Sequence, residues 1–351
     1  MTDTMTLQKN NRQVAIWLLI GVGMIMIQVL LGGITRLTGS GLSITEWKPL
    51  LGALPPMNEA DWAAAFEKYK QIGQYKQINF HFTLSDFKFI YFWEWFHREW
   101  ARLLGVVFCI GFVYFWFKRA FTREMIRPML LLFLLGGLQG LIGWIMVDSG
   151  VNQDSVYVDH FKLAVHFISA LVLFCYVLWF ALKLLLPKKP VIYPIQLKRT
   201  GWILMIVLVI QLIYGALVAG LKAAVVAPTW PDMNGSFIPK GLSNSILNDP
   251  LSVQFVHRMI AYLLFAGVFF WWSLSRKLNS DSLFRKTRIF PPIIVSLQLV
   301  LGILTVLYST DSSLLLLFGV LHQFTAMLLL ASIFINIYLV GSPRFGRKSI
   351  R

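Results

Sequence analysis

Apolar positions gather into eight long stretches, near 14–34, 89–117, 129–147, 161–186, 202–221, 253–275, 290–308 and 314–340. Short polar segments divide them, apart from one long polar segment at 35–88. A helix needs about 20 apolar residues to cross a hydrocarbon core of ~30 Å, and each stretch is long enough. No segment alternates apolar and polar residues as barrel strands do, and backbone groups in lipid must be satisfied within the segment. The pattern therefore predicts an all-α polytopic membrane protein with eight transmembrane helices. Within 35–88 it predicts one short helix at 58–70, with Asn58 as cap, Asp61 at the third position and Trp62, Phe66 and Tyr69 on one face. That face has two readings: it lies on the membrane surface or over a pocket, or it packs on its own domain.

The chain repeats itself. Gln28-Val29-Leu30-Leu31-Gly32 is matched by Gln211-Leu212-Ile213-Tyr214-Gly215, and nineteen residues after each Gln stands a Trp, Trp47 and Trp230. Leu138-Gln139 with Gly143 is matched by Leu297-Gln298 with Gly302, and His97-Arg98 by His257-Arg258. The expected organisation is two pseudo-repeated four-helix bundles of parallel topology, 14–186 and 202–340. A tail 1–13, a linker 187–201 and a tail 341–351 complete the chain.

Composition agrees with a bilayer as the main solvent, at 57% hydrophobic and 14% charged. The net charge of +16 does not form a nucleic-acid patch, because 20 of the 32 Lys and Arg residues lie in the tails and in 118–127, 183–199 and 276–288. The positive-inside rule then puts both termini and these three loops in the cytoplasm, with 35–88, 148–160, 222–252 and 309–313 facing outward. The first span is too long for a cleaved signal, and no small-residue cleavage site follows Gly33. The leader Met1 to Arg12 carries Asp3 and only two basic residues, unlike an Arg-rich transit peptide, so a bacterial inner membrane is expected. Cys109 and Cys175 both fall within spans, where a small buried hydrophobe is the usual role.

Four of the six histidines sit inside spans, one on each even-numbered helix: His97, His166, His257 and His322. Each lies roughly 4 to 9 residues after its apolar run begins, so at ~1.5 Å per residue all four share one depth in the outer leaflet. Ionisable residues in spans are costly and usually functional. Pairing His97 with His166 and His257 with His322 gives two bis-imidazole sites of the kind that hold haem iron between helices. Zinc or copper would bring carboxylates or thiols close by. Arg98 and Arg258, each one residue beyond a His, are candidates for pairing with haem propionates or for anchoring at the interface.

The two halves differ near these sites. Glu94 lies one turn before His97 on the same face, whereas Gln254 stands at the equivalent place. The first half likewise carries Glu99 and Arg102 where the second has Met259 and Tyr262. Oxidation of a substrate needs a group that moves protons, which assigns catalysis to the first half and a retained haem b to the second. The residues alone support a dihaem membrane oxidoreductase or a cytochrome b-type electron-transfer or haem-carrier protein. The parallel repeat alone would suggest a transporter, but the spans lack Gly/Pro-broken helices.

The chain resembles the haem A synthases of the alphaproteobacterial and mitochondrial type. The resemblance is carried by Gly32-Gly33-Ile34-Thr35-Arg36-Leu37-Thr38-Gly39-Ser40-Gly41-Leu42-Ser43, Glu46-Trp47-Lys48-Pro49 and Glu94-Trp95-Phe96-His97-Arg98. It is carried further by Lys162-Leu163-Ala164-Val165-His166, Thr229-Trp230-Pro231-Asp232-Met233-Asn234-Gly235, Val256-His257-Arg258 and Leu321-His322-Gln323. It implies haem O as substrate, haem A as product, haem b as a bound cofactor and an essential glutamate at Glu94. The reaction implied is two successive hydroxylations of the C8 methyl group followed by loss of water. A haem O synthase and cytochrome oxidase assembly factors become candidate partners, while no flavin, iron–sulfur or nucleotide motif names the electron donor. The Gram-positive branch has cysteine pairs in its outer loops, which 35–88 and 222–252 lack, so thiol chemistry proposed there does not carry over. His160, just outside the fourth span and without a counterpart in the other half, is expected at the surface.

Overall fold

The computed structural model describes residues 2–46, 52–186, 193–278 and 282–341. Trp47, Lys48 and Pro49, the first part of the 187–201 linker and the tail beyond Gly341 lie outside the described residues. The described chain folds into ten α-helices: α1 Thr2–Leu37, α2 Glu59–Tyr69, α3 Leu84–Phe117, α4 Arg123–Asp148, α5 His160–Leu185, α6 Ile195–Gly220, α7 Pro250–Arg276, α8 Ser282–Thr287, α9 Phe290–Leu307 and α10 Ser312–Gly341. Eight are long and apolar enough to cross a membrane, α8 continuing into α9, and the protein is a multi-pass membrane protein. Several spans begin earlier than the apolar runs do. Their start signals lie in the polar flank: Thr83 and Asp86 form a capping box for α3, and Asp249 caps α7, with Pro250 in its first turn.

Four helices, α1, α5, α6 and α10, pack on one another at the centre, and the remaining spans flank them. The pairs α1–α3, α4–α5 and α1–α5 recur as α6–α7, α9–α10 and α6–α10. In the second set α7 also packs along α9, whereas α3 reaches α4 through the rings of Phe108, Phe112 and Phe133. The core between helices holds Leu18, Met129, Phe174, Phe180, Leu208 and Met327, all nearly inaccessible. Lipid tails are as apolar as these side chains, so close packing and polar contacts between helices hold the bundle together. One such contact is the Gln323 amide donating to the Val29 carbonyl, 2.8 Å, with Gln323 lying against Gly33.

The described residues 38–46 and 52–83 form a cap at the end of the bundle where α3, α5, α7 and α10 begin. Asn58 caps α2 as expected, its side chain accepting from the Asp61 N–H at 2.9 Å. Of the two readings for the aromatic face, packing on its own domain is the one found. Phe66 and Tyr69 are buried against Phe87, with Leu42, Ile72 and Ile90 completing the cluster, and Trp62 meets Tyr91 edge-on. Backbone contact with the α4–α5 loop fixes the cap on its other side, the Gly73 N–H donating to Asn152 O at 2.7 Å.

The Tyr69 hydroxyl donates to Gln74 Oε1 and accepts from Asn79 Nδ2. Burial is the main force pushing its phenol up, from an ordinary 10 to about 12. Because the folded value is the higher one, this contribution to cap stability is intact below pH 10 and is lost as pH rises from 10 through about 12. Amide exchange in 59–79 is expected to accelerate over that window, and Tyr69→Phe to remove this step.

Candidate functional site

The four span histidines sit on α3, α5, α7 and α10, all of which start at the cap end. Each ring lies over a glycine of the preceding span. A Cβ at Gly32 would stand 3.3 Å from His97 Nε2, at Gly143 2.8 Å from His166, at Gly215 3.3 Å from His257 and at Gly302 2.9 Å from His322. Four residues before each glycine, on the same helix face, is a glutamine: Gln28, Gln139, Gln211 and Gln298. The Gln amides reach His166 Nδ1 at 3.2 Å, His257 Nε2 at 3.3 Å and His322 Nε2 at 3.2 Å, while Gln28 reaches the backbone carbonyl of His97 at 3.2 Å. The repeat between the halves matches these glutamines and glycines in two separate pairs. The fuller signal in the sequence is that Gln-x-x-x-Gly occurs four times, once before every span histidine.

The His257 and His322 rings face each other with centroids 6.4 Å apart and planes at 71°. Imidazole nitrogens bind metals at about 2 Å, so two rings ligating one ion from opposite sides have centroids roughly 6 Å apart. The buried Nδ1 of His257 and the buried Oε1 atoms of Gln211 and Gln298 have no partner. Both observations fit a group bound between these helices. His97 and His166 make no ring contact with each other among the described residues.

Glu94 is buried on α3 and fully partnered. Its Oε2 accepts from Ser43 Oγ at 2.7 Å and from the Ile44 N–H at 2.8 Å, and its Oε1 accepts from Arg98 at 2.5 Å. The Arg98 guanidinium also donates to the carbonyls of Ile44 and Glu46. The second half repeats the arrangement with neutral chemistry. Gln254 donates to the Ala224 and Ala227 carbonyls, and Arg258 donates to those of Ala227, Thr229 and Asp232. In both halves, then, a Glu/Gln and an Arg one turn later fasten the loop that follows the first helix onto the second. Both guanidiniums donate to loop carbonyls, and Arg98 to Glu94 as well, which leaves fewer N–H groups for propionates; Arg258 Nε has no partner. Glu99 and Arg102 pair with each other.

The long sequence motifs acquire a local role in this geometry. In 35–43, Ser40 N–H returns to the Thr35 carbonyl and Gly39 takes a φ of +69°, which turns the chain toward Glu94. In 229–235, Thr229 Oγ donates to Asp232 and accepts from the Asn234 N–H, while the Gly235 N–H donates to the same Asp232 carboxylate. The Gly235 amide, and then the Thr229 hydroxyl, hold the Asp232 carboxyl below its ordinary value. His160 opens α5 and meets Asn248 at 3.1 Å, with its Cβ side against Gly220 of α6, so it lies at a junction between elements rather than on a free surface. Both cysteines are free.

The family model described as cytochrome oxidase assembly protein matches residues 15–334. The chain is 44% identical over 336 residues to a heme A synthase of Flavobacterium psychrophilum, covering 92% of this chain and 97% of that one. It is 42% identical over 328 residues to a heme A synthase of a Bradyrhizobium species, covering 90% and 88%, and 38% identical over 331 residues to that of Bartonella henselae, covering 92% and 91%. With four histidines on four glycines and a match that spans nearly its whole length, the chain belongs to the cytochrome oxidase assembly protein family, among the haem A synthases.

Proposed function

We propose that the protein is a haem A synthase, oxidising the C8 methyl group of haem O to a formyl group by two hydroxylations and loss of water. The observation that carries this reading is the pair of histidine sites of like construction, only one of which has a carboxylate beside it. Substrate haem is assigned to the half 14–186, between His97 and His166, and haem b to the half 202–340, between His257 and His322. Haem b, when bound, supplies a one-electron redox centre. The remaining work falls to the chain. The four glycines admit rings close to the neighbouring helix, and the capped loops close the sites to water at one end. Glu94 is the group proposed to hold and move a proton, at Oε1 or Oε2, near the reacting methyl. For it to do so, Arg98 or Ser43 must release one of those oxygens as substrate enters. Arg98 and Arg258 are read as loop clasps first, with only their remaining N–H groups left for propionates.

The address proposed is a bacterial inner membrane with both termini cytoplasmic, on the distribution of Lys and Arg. A haem O synthase as supplier and a cytochrome oxidase assembly factor as recipient complete the proposed setting. The test is production of the chain in a host that makes haem O and cannot convert it. Haem A should appear in the membrane extract, and the purified protein should carry haem b. Haem b at two per chain without any haem A would favour the electron-transfer reading instead.

A further inference from the structure

The two halves differ in one seam. α7 packs along α9, whereas the matching pair, α3 and α4, scarcely approach each other along their backbones. Where they meet, the contact is aromatic: the Phe133 ring of α4 lies 4.6 Å from that of Phe108 and 5.1 Å from that of Phe112, both on α3. The α3 face that carries Phe112 and Phe108 continues toward His97 as Gly105 and Ala101, at steps of three and four residues. The α4 face that carries Phe133 continues toward Gly143, under His166, as Gly137 and Gly140. These four small residues are exposed, and a Cβ at Gly105, Gly137 or Gly140 would meet nothing within 4 Å among the described residues.

The seam is therefore shut at the rings and open from there to the histidines, about 12 Å along α3 from Gly105 to His97 at ~1.5 Å per residue. His97 stands at the head of the opening, and among the described residues neither of its ring nitrogens has a hydrogen-bond partner. In the register that matches His97 with His257 and Gln139 with Gln298, Gly105 corresponds to Phe265, Gly137 to Ser296 and Gly140 to Leu299. Phe265 packs against the core and lies 4.8 Å from Phe269. The three first-half glycines also lack an internal reason. Glycine inside a helix is less stable than alanine, and no neighbouring atom forbids the methyl group. Gly32 and Gly143, by contrast, are needed where a histidine ring lies on them. The room at the seam serves something outside the chain.

Haem O differs from haem b in carrying a hydroxyethylfarnesyl chain in place of one vinyl group, and the oxidation leaves that long apolar chain untouched. We propose that the seam between α3 and α4 is the slot that takes this chain, opening the substrate site sideways so that haem O enters and haem A leaves through the bilayer. This rests on the assignment of haem O to the first half. Glycine on both walls lets a branched isoprenoid lie between the helices, and the rings of Phe108, Phe112 and Phe133 stop it and turn it out into lipid. The second half, assigned to haem b, has no such chain to place, and Phe265 and Leu299 stand where the glycines would be.

The test is a titration of purified protein, carrying its haem b, with haem O, followed by Soret absorbance. Gly105→Ala, Gly137→Ala and Gly140→Ala combined should weaken haem O binding roughly tenfold, the scale of overpacking a closely fitted site. The same variant, free of haem O, should melt a few degrees above wild type, because three helical glycines have become alanines. Iron protoporphyrin IX, which has no isoprenoid chain, should bind as a second equivalent within about twofold of its wild-type affinity, since nothing of it enters the seam. Gly105→Phe with Gly140→Leu, which copies the second half, should weaken haem O binding further while the second half keeps its haem b. A merely structural role for the glycines would lower the melting temperature and both affinities together, and that result overturns the proposal. Unchanged haem O affinity in the triple alanine variant overturns it as well and leaves the seam to membrane lipid. Haem O binding indifferent to His97→Ala would instead remove the assignment of haem O to the first half, an outcome read separately from the glycine variants.

Discussion

Glu94→Gln should abolish haem A formation while leaving a folded protein that keeps its haem b. General acid–base assistance contributes about 10² to 10⁴ in rate, so haem O should accumulate, together with some hydroxylated intermediate. The geometry makes this a sharper experiment than size alone suggests. An amide oxygen at position 94 can still accept from Ser43 and Ile44, but its NH₂ then meets the Arg98 guanidinium, donor against donor. Loss of activity could therefore reflect a loosened loop. Ser43→Ala and Arg98→Gln break the same clasp and spare the carboxylate, so they act as controls. If Glu94 serves only to fasten the loop, the three variants should fall together. If it moves protons, Ser43→Ala should stay within about tenfold of wild type, losing one hydrogen bond, while Glu94→Gln falls by the full factor. Near-normal haem A from Glu94→Gln would remove Glu94 from the mechanism, and with it the reason for placing the chemistry in the first half.

Replacing either His257 or His322 with Ala should strip haem b and lower thermal stability in the same variant. A ligand that binds only the folded protein stabilises it by roughly 3 to 4 kcal/mol when present at 100 to 1,000 times its dissociation constant, and that term vanishes with the ligand. His97→Ala should do the opposite, ending turnover while the second-half haem keeps its low-spin spectrum. The spectrum of the detergent-purified variants and their melting curves decide the matter. Full low-spin haem b in both second-half variants would refute the assignment.

Much of this could be read from the chain because a bilayer leaves few alternatives. Apolar runs of the necessary length had to be helices, and a histidine inside such a run had to have a reason. Helix starts are less legible: the apolar run marks where lipid begins, whereas Thr83 with Asp86, and Asp249 with Pro250, mark where the helix begins. The capped loop was legible locally, through Asn58 and the Trp62, Phe66 and Tyr69 spacing, but its docking onto Phe87 depends on the path of the whole segment. For the same reason Arg98 and Arg258 suggest a ligand from their place beside a histidine, whereas both donate to carbonyls of distant loops. The Gln-x-x-x-Gly elements were in plain view. The repeat between halves pairs each with its counterpart, whereas the likeness of Gln28-x-x-x-Gly32 to Gln139-x-x-x-Gly143 lies within one half.

The ring-on-glycine contacts also bear on how the protein meets membranes of different thickness. Sliding one span past its neighbour by one turn, about 5.4 Å, would bring a same-face side chain, on one side the glutamine four residues away, under the histidine in place of the glycine. Each contact thus acts as a notch that fixes the vertical register of a helix pair: α1 with α3, α4 with α5, α6 with α7 and α9 with α10. With sliding blocked at all four pairs, a thicker or thinner bilayer has to be met by tilting the pairs as units or by deforming the lipid around them, so the histidines keep their common level while the ends of the bundle absorb the mismatch.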